Sequence, residues 1–346
     1  MFEEFELINR EFPWFFRIAA FVFGACCGSF FNVVIYRVPA GKSVVTPGSH
    51  CVCGKPIAWY DNIPILSWFL LRGKARCCGA NFSFQYPFVE LLTGCLFMAC
   101  WWMHPQNFAV IFIGWVFLAM LICSTFIDLR HMVLPDYFTV YGAVIGVFLA
   151  FFFPQLHEQA ASNYWLLNGM RSAVDALIGV FIGSAVILWI ALVAESILRR
   201  EAMGFGDVVF MGCIGAFCGW QGAIFAIFGG AVLGTLVVVP MMILQRLGFN
   251  ITPGKVENNA KELVEPDNTV KTNEGIAPKT AEPDQQRASV AAEDAQAGQD
   301  DELKMGSAIP FGPWLALGAA VYYIFLREPV NAYFRELIQL YQVPFA

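Results

Sequence analysis

Runs of about twenty apolar residues, separated by short polar stretches, set the frame of this chain. A run of that length suits a helix crossing a bilayer. Eight such stretches lie at roughly 14–36, 86–103, 108–127, 137–153, 173–198, 207–219, 222–244 and 309–326. The sixth is short; at ~1.5 Å per residue it covers only about two-thirds of a ~30 Å hydrocarbon core. The pattern predicts an all-α polytopic membrane protein of about eight transmembrane helices. Composition agrees. The 346 residues are 58% hydrophobic and 14% charged, with a mean hydropathy of +0.59. A soluble globule is about 25% charged.

Eight spans put both termini on one side, and Lys/Arg placement decides which. Arg37, Lys42, Lys55, Arg72, Lys74, Arg76, Arg130, Arg199, Arg200 and Arg246 fall on one side; Arg10, Arg17, Arg171, Arg327 and Arg335 fall on the other. The bias predicts both termini outside and the 37–85 loop in the cytoplasm. No small-residue cleavage site clearly follows the first apolar run, so it reads as an anchor rather than a removed signal peptide.

The polar stretches divide the chain further. Residues 1–36 hold the N-terminal segment and first helix, 37–85 a loop, 86–250 a membrane core, 251–304 a second polar segment, and 305–346 the last helix and tail. The 251–304 segment has 12 acidic residues, 6 basic residues and no aromatic. It therefore carries the whole net charge of −6. Such a stretch cannot bury enough apolar surface to offset its ordering entropy and reads as a disordered cytoplasmic linker.

Eleven cysteines split unevenly. Cys26, Cys27, Cys95, Cys100, Cys123, Cys213 and Cys218 lie in apolar runs, where cysteine serves as a small packing residue. Cys51, Cys53, Cys77 and Cys78 lie in the loop, each pair followed by glycine. Two knuckles about 25 residues apart suggest a tetrahedral four-thiolate zinc site in a small zinc-ribbon-like loop. Free thiols are the alternative; a disulfide does not suit a cytoplasmic loop.

Two carboxylates stand where apolar runs meet polar sequence: Asp128 in Ile127-Asp128-Leu129-Arg130, and Asp207 in Gly204-Phe205-Gly206-Asp207. Charge is costly in a bilayer and marks function there. Two carboxylates brought together share a proton, the arrangement an aspartic protease uses to activate water. An intramembrane aspartyl peptidase is the leading reading. Singly, Asp128 is equally well a cap or a partner of Arg130, and Asp207 an N-cap. Gly204 and Gly206 allow close helix approach. Asp136, after Pro135, reads as the start of the fourth span and as supporting; Asp175 reads as structural. Glu90, just inside the second span, is a further functional candidate. The four histidines show no metal spacing. A scaffold or transporter using membrane acids for ions is a second class, but no inverted repeat supports it.

Beyond these motifs, ordered segments closely resemble the type IV prepilin peptidases, bifunctional leader peptidase/N-methyltransferases. They are Gly28-Ser29-Phe30-Phe31-Asn32 through Arg37, Asn62-Ile63-Pro64-Ile65-Leu66-Ser67-Trp68, Leu71-Arg72-Gly73-Lys74, Tyr86-Pro87-Phe88-Val89-Glu90-Leu91-Leu92-Thr93-Gly94, both aspartate motifs, and Ile309-Pro310-Phe311-Gly312-Pro313-Trp314. The resemblance implies that the catalytic aspartates are Asp128 and Asp207. It implies leader cleavage of prepilins or type II secretion pseudopilins at the cytoplasmic face of the bacterial inner membrane. It also implies N-methylation with S-adenosylmethionine, a lipid bilayer environment and no nucleic-acid partner. Bifunctional members carry two Cys-x-x-Cys knuckles. Here the first knuckle lacks a spacer residue, and in the second Ala75 occupies the first cysteine position, with Cys77 beside the matching Cys78. A peptidase-only member, or another intramembrane aspartyl protease, is the alternative. The 251–304 insertion replaces a short loop.

Overall fold

The structure, a computed structural model, describes residues 9, 11–51, 53–105, 107–159, 163–199, 203–246 and 310–342. The expectation for 251–304 lies outside them. The chain forms two compact units, Met1–Val237 with Pro310–Ala346, and Val238–Ile309. Of the second, 238–246 is described and is helical.

The described residues hold helices and no strand, as the periodicity predicts; isolated bridges join His50 to Pro56 and Lys74 to Asn81. The helices are α1 (Pro13–Arg37), the short α2 (Leu66–Leu70), α3 (Gln85–Met103), α4 (Phe108–His131), α5 (Val140–Phe152), α6 (Trp165–Leu198), α7 (Phe205–Arg246), α8 (Gly312–Val321) and α9 (Arg327–Gln342). A five-residue π-helical turn, Tyr322–Leu326, joins the last two. Among the described residues, α1, α3, α4, α6 and α7 are long and apolar enough to cross a membrane. They mark an integral membrane protein.

The eight apolar runs all reappear as helix, with altered bounds. The fourth begins at Val140 rather than 137. Pro135 sets a turn first, in which the Phe138 amide donates to the Pro135 carbonyl at 3.0 Å. Asp136 is exposed in that turn and does not start the helix. The fifth begins at Trp165, earlier than 173, and runs 34 residues. The sixth and seventh are one 42-residue helix, broken at Gly219, where φ is 69°. Unbroken, 42 residues would span about 63 Å, twice a hydrocarbon core. The break lets the chain turn back.

A helix break frees carbonyls that need partners inside a membrane protein. His157, on the connector after α5, supplies one: its Nε2 lies 3.1 Å from the Ala216 carbonyl. A carbonyl only accepts, so Nε2 carries the proton. Burial, reinforced by the Arg327 guanidinium, pushes the imidazole down to about 3, so it stays neutral. Arg327, also buried, donates to the carbonyls of Gln155 and Leu156. The core between these elements is aromatic. Phe117 stacks on Phe217 with centroids 4.7 Å apart, and the Tyr323 hydroxyl donates to the Val110 carbonyl at 2.8 Å.

At the opposite end of the bundle, the last turn of α1, the first of α3, the last of α4 and the starts of α7 and α8 come together. Asn32 donates to the Tyr86 carbonyl at 3.1 Å, and Arg130 to Gln85 Oε1 at 2.6 Å. The approach of α1 to α3 depends on Gly28: a Cβ there would lie 2.7 Å from the Glu90 Cα. Small residues at helix crossings allow this contact. Gly28→Val should therefore lower the unfolding midpoint in detergent, overpacking costing about 1–3 kcal/mol. Gly48→Ala, which meets no atom within 4 Å, should leave the midpoint unchanged in the same thermal scan.

Candidate active site

Asp128 sits three residues before the end of α4. The helix stops because Met132 adopts a left-handed conformation (φ 51°), its amide donating to the Asp128 carbonyl at 2.8 Å. Arg130 turns away to Gln85, so the ion pair weighed for it is not formed; the Asp128 side chain is buried and its Oδ2 has no hydrogen-bond partner. A buried polar atom without a partner is costly and calls for an explanation.

Asp207 is half-buried in the first turn of α7, where the helix dipole favours a negative charge. It is the third residue of the helix rather than its N-cap, and its amide donates to the Gly204 carbonyl at 3.1 Å. Gly206 packs on Leu134: a Cβ on the glycine would lie 3.3 Å from the Leu134 Cβ. The second aspartate motif thus rests directly on the segment following the first.

Gly312, the first residue of α8, closes the site. A Cβ there would lie 2.6 Å from Asp128 Oδ2 and 3.4 Å from Asp207 Oδ1. The two carboxylate oxygens are therefore no farther apart than the sum of those distances. Residues 79 positions apart in sequence share one small space at the end of an apolar bundle. Ser124, one turn before Asp128, adds a second buried, unpartnered oxygen. Gly312 stands in the 309–314 segment but is no candidate by sequence alone, and Ser124 carries no sequence signal.

Glu90 lies in α3, buried, and reaches out of the helix to the loop. Its Oε2 accepts the Ile65 amide at 2.7 Å. Asp175 accepts from Gln159 at 2.7 Å.

In the loop, the four thiols converge. Cys51 Sγ is 3.4 Å from Cys78 Sγ, Cys53 Sγ is 3.4 Å from Cys77 Sγ, and all four lie within 4.8 Å of one another. Tetrahedral sulfurs around a metal at ~2.3 Å would stand about 3.8 Å apart, so the cluster can hold a metal ion. The two knuckles are built alike. The Cys51 amide donates to the Lys55 carbonyl and Gly54 to Cys51; the Ala75 amide donates to the Ala80 carbonyl and Gly79 to Ala75. Ala75 thus occupies the place of Cys51. The second knuckle is one residue longer, and this brings Cys77 as well as Cys78 inward. Gly54 and Gly79 take positive φ, which their turns require. The Cys53 amide, donating to Cys51, lowers that thiol to about 7, while hydrogen bonding to Cys51 pushes Cys77 up to about 12. One thiolate held by neighbouring thiols suits a cation, which would displace the remaining protons.

The family model for the bacterial peptidase A24 N-terminal domain matches residues 22–104, and that for the type IV leader peptidase family matches 115–239. A prepilin leader peptidase/N-methyltransferase of Klebsiella pneumoniae is 32% identical over 218 residues, covering 61% of this chain and 89% of that protein. The chain belongs to the type IV leader peptidase family. A protein of the same name from Myxococcus xanthus is 39% identical over 229 residues, 65% of this chain and 64% of its own length. Another, from Aeromonas hydrophila, is 32% identical over 262 residues, 67% and 83%. No solved structure matches the chain.

The cluster makes a simple prediction. Thiol titration of purified, metal-loaded protein should gain four reactive thiols per chain after chelation, matching Cys51, Cys53, Cys77 and Cys78. An unchanged count would show that they hold no metal.

Proposed function

We propose that this family member cleaves the leader peptide from type IV prepilins or type II secretion pseudopilins, using Asp128 and Asp207 as one catalytic unit. The observation that carries the reading is the shared contact of both carboxylates with Gly312, with Asp128 Oδ2 buried and unpartnered. Two carboxyl groups this close hold one proton between them. The ionised member takes a proton from water as the oxygen attacks the scissile carbonyl. The protonated member donates a hydrogen bond to the carbonyl oxygen. As the tetrahedral species collapses, the C–N bond breaks and the leaving amine takes up a proton. Water and peptide become a carboxylate and a free amine, with the dyad restored. The bundle end that carries the site also carries the basic loop, and the Lys/Arg bias of the sequence supports a cytoplasmic side for that end. The substrate's apolar helix would lie in the bilayer, its leader outside. Asp136 and the glycines Gly204 and Gly206 support the site rather than react; Gly206 does so by admitting Leu134.

The relatives are named N-methyltransferases as well, and we extend the reading to N-methylation, taking the amine freed by cleavage as acceptor and S-adenosylmethionine as donor. Zinc fits Cys51, Cys53, Cys77 and Cys78 by donor type and spacing, and when bound it ties the two knuckles together. S-adenosylmethionine supplies the methyl group. The exposed indole of Trp59, in the same loop, offers a π face to a sulfonium or an adenine ring. The amine must reach the methyl donor unprotonated, which an apolar surrounding favours.

Asp128→Asn and Asp207→Asn should each abolish leader cleavage of a purified prepilin, and the double variant should be no worse, because the pair acts as a unit. Gly312→Ala should cut kcat by roughly a hundred-fold, since a ~1 Å displacement of reacting groups costs about that much. Near wild-type cleavage in either Asn variant would refute the dyad. Cys51→Ser with Cys78→Ser should lose zinc and methylation more than cleavage. Metal analysis beside mass spectrometry of the processed N-terminus checks this, and full methylation without zinc would reject the link.

A further inference from the structure

Ile65 is strained. Its φ of 63° and ψ of −56° place a β-branched residue in a left-handed region, closing a γ-turn in which the Leu66 amide donates to the Pro64 carbonyl at 2.6 Å. Turns of this kind are rare and costly, and they persist only where surrounding contacts hold them. The holding contact is Glu90, whose carboxylate receives the Ile65 amide at 2.7 Å. Two further segments meet at Glu90: Ile65 on its carboxylate, and α1, whose Gly28 packs on the Glu90 Cα.

That contact fixes a depth. Glu90 is the sixth residue of α3, a membrane-spanning helix, so it lies roughly 8 Å along the helix from its start. Ile65 is held at the same level, and α2 begins at the next residue. The inner face of α2 is anchored. The Ser67 hydroxyl donates to the Ile63 carbonyl at 2.7 Å, and the Trp68 indole to the Phe82 carbonyl at 3.3 Å. The outer face is Leu66, Phe69 and Leu70, spaced i, i+3, i+4, and these are 59%, 60% and 79% exposed. Around them the 37–85 loop carries six basic residues and one acid, Asp61, which Arg76 already pairs at 2.8 Å. Exposed Arg72 and Lys74 follow α2 directly.

We propose that α2 is a membrane foot, with Leu66, Phe69 and Leu70 inserted at the headgroup boundary of an anionic lipid surface, held at that depth by Glu90. Interfacial helices bury an apolar face roughly 5–10 Å into this boundary, with basic residues on the headgroups. A protein partner for the same face would need charge to match, and a basic peptide is repelled by this loop. The foot would hold the four-thiol cluster against the bilayer, beside the site from which an apolar substrate helix emerges.

Photo-crosslinking tests the proposal on the full chain in nanodiscs. A benzoylphenylalanine is placed at Leu66 or Leu70, and at Val45 as comparator; Val45 is also 79% exposed in the same loop. Intact mass spectrometry counts lipid adducts. Discs containing phosphatidylglycerol should give several-fold more adduct at Leu66 and Leu70 than at Val45, and the excess should fall several-fold in pure phosphatidylcholine. Adduct yields no higher than at Val45, or crosslinks to a second copy or to added prepilin instead of lipid, would overturn the foot. Equal yields in both lipids would overturn the anionic surface. Glu90→Ala should bring the Leu70 yield down towards that of Val45; an unchanged yield would remove Glu90 as the clamp.

Discussion

The structure turns on the cost of placing carboxylates at the end of an apolar bundle. An ionised group there loses hydration that no nearby apolar helix replaces. Asp128, Asp207 and Glu90 all lie in membrane-spanning helices, near one end of the bundle. Glu90 accepts a backbone amide from the loop and holds that loop in place; Asp128 is left with one oxygen unpaired beside Asp207. Glu90 and Asp128 are buried alike, and their partners set the difference.

Helix ends put these groups where they are. The left-handed Met132 stops α4 just past Asp128, and α7 opens two residues before Asp207. Gly312 starts α8 at the point where both carboxylates arrive. A side chain on Gly312 would occupy the space the two acids share. At the far end, His157 and Arg327 satisfy carbonyls left by the Gly219 break and by the connector after α5, so the polar backbone there stays paired. The end carrying Asp128 and Asp207 keeps two buried oxygens without a partner, on Asp128 and on Ser124 one turn before it.

The loop shows how irregular spacing can still build a regular cluster. The shortened first knuckle and the Ala75 replacement in the second suggest a damaged site when read along the chain. In three dimensions the second knuckle's extra residue compensates, and the thiol lost at Ala75 is replaced by Cys77.

Much was legible in the sequence because its causes are local. Apolar runs fixed the helical class, the positions of eight helical stretches and the membrane character, since a bilayer demands a set length of internally bonded backbone. The aspartates, Glu90 and the cysteines stood out as groups that apolar or turn-rich surroundings do not readily tolerate. Their partners did not stand out. Whether Asp128 paired with Arg130, capped a helix or met Asp207 depended on which helix ends converge, and periodicity holds no such information. Gly312 and the Ile65 turn became meaningful only through contacts 184 and 25 positions away. The sequence by itself determined which groups are costly to bury. Only the tertiary structure decided which of them are compensated, because compensation is a contact between distant segments.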